Sequence, residues 1–424
     1  MLKRVLIGLF LVTSTLFGQP KALVLISIDG LPPAYLNDAD KYQLKIPTLR
    51  RLMAEGSHAS SVRNVMPSVT YPNHTTLITG VLPARHGIFQ NTTFDPDHKN
   101  MDGWYWYAED IKVPTLWDVA AKAGWTVGSV SWPVSVGARG VNYLVPEYWR
   151  SQTGEDRKLI RALSTPGLIA ELEPEAGPYI TDLSDAIAGD LARTRYAVGI
   201  IQHKHARFMT IHLAALDHLE HEHGPFTPEA FATLEQIDKM VASIEAAMRA
   251  ETPDTVMCVV SDHGFAKIDH QLNLRATMQG WKATPWGTGG SAFIVLKDPS
   301  ARSEVEKQLK QLAADPANGI DHIMDRKELA SLGAAPNADF AVDMRPGFTI
   351  GTSADFKPGG THGYSPEHPE MRSTFVIAGP GIKRGVDLGE IDMRSIAPTL
   401  AKVLGSPLPT ADLAPLGVFT VLDK

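Results

Sequence analysis

The chain has 424 residues, enough for one large domain or two ordinary ones. Its 44% hydrophobic and 21% charged residues are those of a soluble globular protein, and a net charge of −7 offers no basic excess for a nucleic-acid polymer. A single cysteine, Cys258, excludes an internal disulfide and reads as a core thiol within an apolar run.

Lys3 and Arg4 precede a short apolar run, residues 5–12, and small residues follow up to Gly18. That pattern reads as a signal peptide over residues 1–19, too short for a membrane span of roughly 20 residues. A periplasmic or secreted protein with no stable membrane span is therefore expected. Residues 22–28 form a continuous apolar strand, and 47–55 a helix with proline at its start and Gly56 at its end. Pro67 and Pro72 bracket a rigid turn, with a helix expected over 75–78. A strand is expected at 125–132, a long helix at 182–203, a strand at 208–216, a helix at 228–249 and a strand at 256–261. The pattern changes between Gly264 and Gly360, which reads as a small inserted subdomain at about 265–360. A strand at 374–378 and a helix at 395–404 close the pattern. Such alternation predicts an α/β fold, with a mainly parallel central sheet and helices on both faces, in one domain over residues 20–424.

Acidic and imidazole side chains gather where the strands end. Asp29 ends the first strand, Asp217 the strand at 208–216 with His221 four residues on, and Asp262 and His263 the strand at 256–261. Ligands of open α/β sheets bind outside the carboxyl ends of the strands. Carboxylates collected there repel one another unless cations neutralise them, and mixed Asp and His donors suit zinc. Thr70 lies near a predicted helix start, where an anion is favoured; as a residue type there it is either a plain helix cap or a nucleophile activated by metal.

Together these segments resemble the nucleotide pyrophosphatase/phosphodiesterase family of the alkaline phosphatase superfamily. The resemblance runs over residues 22–405 and rests on Ser27-Ile-Asp-Gly30, Thr70-Tyr-Pro-Asn-His74, His86-Gly-Ile88, Asn91, Asp217-x-x-x-His221, Asp262-His-Gly264 and Thr361-His-Gly-Tyr364. It implies an alkaline-phosphatase-like fold and two Zn2+ per chain. Asp29, Thr70, Asp262 and His263 would hold one ion, and Asp217, His221 and His362 the other. Thr70 would be the nucleophile and Asn91 would hydrogen-bond a phosphoryl oxygen. Tyr71 would stack on a nucleobase, with Tyr148 or Trp149 on its opposite face. The implied substrate is a small phosphodiester or nucleotide, cleaved through a phosphothreonine. Two rivals stay open. A threonine-dependent alkaline phosphomonoesterase would need a Lys-x-Arg pair, and here Arg139 is preceded by Gly137. A metal-binding protein without catalysis is the other. The sequence carries no signal for oligomeric state.

Overall fold

In a computed structural model of the chain, residues 20–97, 99–100, 103–149, 154–179 and 186–420 are described. The expected signal peptide lies outside the described residues. No helix among the described residues is long and apolar enough to cross a membrane.

A continuous apolar run makes a stable strand only when both of its faces are covered. Strand β1 (Ala22–Ile28) is buried throughout. Successive side chains of a strand point to opposite faces, and β1 follows that period: Val24 and Ile26 enter one hydrophobic core, Leu23 and Leu25 a second. The helices Ala186–Lys204 and Pro228–Glu251 cover the first face with Ile200, Ile201, Ile237 and Val241. The helices Leu116–Lys122 and Ile396–Val403 cover the second with Trp117, Val119, Leu400 and Val403. Cys258 is buried in that second core.

The other strands of the central sheet are β2 (Ser57–His58), β3 (Val127–Val130), β4 (Tyr143–Val145), β5 (Phe208–Leu213), β6 (Thr255–Val260), β7 (Phe375–Ala378) and β8 (Val386–Asp387). The eight strands run in the order β8-β2-β7-β6-β1-β5-β3-β4. From β6 to β4 every pairing is parallel, and β7 is antiparallel to both of its neighbours. The fold is thus α/β with a mainly parallel sheet covered on both faces.

One boundary differs in a way that matters for the site. The strand expected to reach residue 216 ends at Leu213, and a short helix, Ala215–His223, takes over. The Asp190 carboxylate accepts from the N–H groups of Ala214 at 3.0 Å and Ala215 at 2.9 Å. Those donors would otherwise be unpaired at a helix start. Apolar character alone did not separate the end of the strand from the first turn of the helix.

Residues 266–361 form two further sheets. Ala283–Trp286, Ser291–Leu296, Phe340–Met344 and Ile320–Asp325 make an antiparallel four-stranded sheet, against which helix Arg302–Ala313 packs Val305 and Leu309. Ala266–Leu272 lies between Gly347–Ile350 and Gly359–Thr361, and the last of these leads directly into His362. Because these strands pair among themselves, we propose residues 265–360 as an inserted subdomain.

Candidate active site

Strands β6, β1 and β5 lie side by side and point the same way. Asp29 follows β1 and Asp262 and His263 follow β6, so their side chains meet outside one sheet edge. Asp217 occupies the first turn of helix Ala215–His223 and His221 the next, a spacing that puts both on one helix face. Strand Gly359–Thr361 leads into His362 and delivers it to the same place.

Two donor clusters result. Asp217 Oδ1 lies 3.6 Å from His221 Nε2 and 3.6 Å from His362 Nε2. His263 Nε2 lies 3.1 Å from Asp262 Oδ2 and 3.4 Å from Asp29 Oδ1. Donor atoms of Asp217, His221 and His362 fall within 4.8 Å of one another, as do those of Asp29, Asp217 and His263. The far ring nitrogens are anchored. Nδ1 of His221 bonds the Gly360 carbonyl, Nδ1 of His362 that of Ser68, and Nδ1 of His263 that of Gly264, each at 3.1 Å. A carbonyl only accepts, so each Nδ1 carries the proton and each Nε2 presents a lone pair to the crevice.

The donor set fits metal ions. Asp29 Oδ1, Asp217 Oδ1, Asp262 Oδ2 and His263 Nε2 are buried with no hydrogen-bond partner among the described residues. Unpaired polar atoms so placed are costly unless a cation joins them. Burial, with the Asp217 charge beside it, holds the Asp29 carboxyl above the usual carboxylate range. Burial and then Asp29 do the same to Asp262. Burial pushes His263 well below an ordinary imidazole and His362 down to about 4. Neutral imidazoles and crowded carboxylates form a site that positive charge would relieve.

Thr70 opens the helix Thr70–Thr79, so the expected turn followed by a helix at 75–78 is corrected. Pro72 is the third helical residue, where no intrahelical N–H bond is required, so proline starts this helix rather than delaying it. Val69 precedes the helix, which makes Thr70 its first residue and not its cap. His74 Nδ1 donates to the Thr70 carbonyl at 2.9 Å. Asn91 Oδ1 accepts the Tyr71 N–H at 2.9 Å, which leaves the Asn91 amide N–H groups to donate elsewhere.

Two cavities meet at Thr70 and Asp217. One, of about 730 Å³, is lined by Asn91, His221 and His362 among others. The other, of about 250 Å³, includes Asp29, Trp104, Tyr148, Trp149 and His212. Tyr148 and Trp149 thus lie where an aromatic wall was expected. Tyr71 does not, and its expected role is corrected. Its ring is fully buried, edge-on to Trp104 and Trp106, and its hydroxyl donates to Glu147 at 2.7 Å. Trp104, from the aromatic stretch Trp104-Tyr-Trp106, lines both cavities in its stead. Arg139 and Gly137 are exposed and line a separate cavity of about 300 Å³ that contains none of the cluster residues. Arg139 is therefore no clamp for a terminal phosphate at Thr70.

Gly264 lets the Asp262-His263 turn pass close under the chain. A Cβ there would lie 2.1 Å from the Glu370 carbonyl and 2.5 Å from that of Arg372. Gly264→Ala should therefore cost about 1–3 kcal/mol through overpacking, read as a lower denaturation midpoint at unchanged slope. An unchanged midpoint would show that this close approach imposes no constraint.

Residues 23–365 match the family described as type I phosphodiesterase / nucleotide pyrophosphatase. Human bis(5'-adenosyl)-triphosphatase ENPP4 is 22% identical over 395 residues, 91% of this chain and 78% of that protein. Human ectonucleotide pyrophosphatase/phosphodiesterase family member 5 is 33% identical over 157 residues, 34% of this chain and 31% of that protein. Venom phosphodiesterase 2 of Crotalus adamanteus is 22% identical over 387 residues, 86% of this chain and 43% of that one. The chain thus spans less than half the length of the last two. Murine ectonucleotide pyrophosphatase/phosphodiesterase 5, solved as an inactive variant in complex with AMP, superimposes with a TM-score of 0.68 at 18% identity, covering 94% of this chain and 97% of that one. The matched span runs from the strand before Asp29 to beyond the turn that carries His362, and the chain belongs to the type I phosphodiesterase/nucleotide pyrophosphatase family, within the alkaline phosphatase superfamily.

Proposed function

We propose that the protein is an exported, periplasmic or secreted phosphoric diester hydrolase that cleaves nucleotide-type diesters or phosphoanhydrides through a phosphothreonine at Thr70. The observation that carries this reading is the place of Thr70: it opens a buried helix where the two cavities meet, and Asp217 of the donor clusters lines both of them. Asp29, Thr70, Asp262 and His263 would hold one Zn2+, and Asp217, His221 and His362 the other. When bound, the two ions supply positive charge that favours loss of a hydroxyl proton and carries charge on the leaving oxygen.

The chain's own groups do the rest. An Asn91 amide N–H donates to a non-bridging phosphoryl oxygen, its own Oδ1 being held by the Tyr71 N–H. Thr70 Oγ1, deprotonated, forms a bond to phosphorus as the bond to the leaving group breaks. The leaving oxygen departs with the electron pair and takes a proton from solvent. Water then attacks the phosphothreonine from the side the leaving group vacated, the P–Oγ1 bond breaks, and Thr70 regains its proton. Trp104, Tyr148 and Trp149 offer a stacking wall for a base, an interaction worth about 1–3 kcal/mol per base. A small nucleotide is favoured by the name of the human triphosphatase and by the AMP complex of the murine protein.

The test compares p-nitrophenyl thymidine 5′-monophosphate, bis-p-nitrophenyl phosphate and p-nitrophenyl phosphate. The diesters should lead in kcat/KM by about ten- to a hundredfold, because Gly137 and Arg139, which stand where a monoesterase would carry its Lys-x-Arg pair, line a separate cavity and do not hold the second charge of a monoester; one such charge-assisted contact is worth about 1.5–3 kcal/mol. A monoester that leads outright would move the chain to the phosphatases. No turnover of any of the three would leave a metal-binding protein.

A further inference from the structure

We propose that His212 and Glu147 are positioning residues that orient Asp29 toward its metal ion and tie that ligand to the helix of the nucleophile. The inference rests on the two-zinc reading. His212 lies on β5 beside β1, and its ring sits between two carboxylates. Nε2 is 2.8 Å from Asp29 Oδ2, and Nδ1 is 2.6 Å from Glu147 Oε2 and 3.0 Å from the Ser131 carbonyl. Both nitrogens face acceptors only, so both donate. Glu147 Oε1 in turn accepts the Tyr71 hydroxyl at 2.7 Å, and the Tyr71 N–H holds Asn91. One run of hydrogen bonds thus links a metal ligand, the neighbour of the nucleophile and the residue assigned to the phosphoryl oxygen.

All of these side chains except Asn91 are buried. Burying an imidazole between two carboxylates carries a large desolvation cost, and packing alone would be served as well by an apolar residue. What the arrangement adds is direction. With Oδ2 engaged by His212, Asp29 has one oxygen free, Oδ1, which is unpartnered among the described residues and turned toward His263. Asp29 is therefore set to bind through Oδ1 alone. Groups that hold a metal ligand in this way contribute about 10–100-fold to metal affinity or activity.

Two substitutions separate direction from packing. His212→Gln places an amide near the Nε2 position and can still donate to Asp29. His212→Asn is shorter, reaching Glu147 but not Asp29. Zinc affinity is read on the full chain by competition with a chromogenic chelator, and folding by the melting temperature of the metal-free proteins. Wild type should bind two zinc ions. His212→Asn should weaken one of them about 10–100-fold and leave the other unchanged. His212→Gln should keep both within a few-fold of wild type. Glu147→Gln, which keeps the shape but not the charge, should weaken the same ion as His212→Asn and lower kcat more than it raises KM. Folded Asn and Gln variants that bind zinc alike would overturn the positioning role. So would equal weakening of both ions in Glu147→Gln, which also decides the matter if His212→Asn does not fold. Wild type without zinc would instead overturn the two-zinc reading.

Discussion

Thr70→Ala is expected to lower kcat by about four to six orders of magnitude, the scale seen when a covalent nucleophile is removed, while KM changes little and zinc remains bound. Among the described residues that line both cavities Thr70 alone carries a hydroxyl, whereas Asp29, Asp262 and His263 would remain to hold the metal beside it. Residual turnover would come from water attacking in place of threonine. Thr70→Ser should recover part of the loss. Its hydroxyl starts from the same backbone position, but it lacks the methyl that restricts the Thr70 rotamer. The measurement is single-turnover kinetics on bis-p-nitrophenyl phosphate with metal analysis of the same sample. An alanine variant within tenfold of wild type would remove Thr70 from the mechanism.

Metal removal should have an effect of similar size on turnover and a second effect on stability. Elemental analysis of the purified protein should find about two zinc ions per chain. Exhaustive chelation should abolish turnover and lower the melting temperature, and added zinc should restore both. Asp29 and Asp262 are almost wholly buried and crowded by Asp217, so without a cation their charges meet in a poorly solvated pocket. A ligand present at a thousand times its Kd stabilises the folded state by about 4 kcal/mol, and that contribution is lost on chelation. Zinc should also protect the turn at Asp262 and His263 from exchange more than it protects distant helices. Full activity after chelation, with no metal detected, would refute the metal mechanism.

Some of this was legible along the chain because its physical cause is local. The apolar run at 22–28 reads as a doubly buried strand, since residues flanked by covered faces are mostly apolar, and the structure has that strand at Ala22–Ile28. The four-residue spacing of Asp217 and His221 is legible too, but the helix Ala215–His223 that puts both on one face is not, since the apolar run reads as strand up to residue 216. The family motifs carry Asp29, Asp217, His221, His263 and His362 in order, and the fold brings donor atoms of Asp217, His221 and His362, and those of Asp29, Asp217 and His263, within 4.8 Å of one another.

What only the tertiary structure decided depends on contacts between distant segments. The strand at 208 stops at Leu213 because Asp190, more than twenty residues back, caps the helix that follows. Tyr71 sits next to the nucleophile in sequence yet turns away from the substrate cavities, because Glu147, 76 residues on, takes its hydroxyl and two tryptophans close over its ring. Arg139 resembles half of a phosphate clamp in sequence and lies in another cavity. His212 looks like an ordinary core residue inside a strand, since nothing local marks a histidine whose partners stand 65 and 183 residues away. Periodicity and motif spacing report the forces a residue meets within a few positions of itself. Which carboxylate a buried imidazole meets is set by how strands and loops pack, and that enters only when the chain closes on itself.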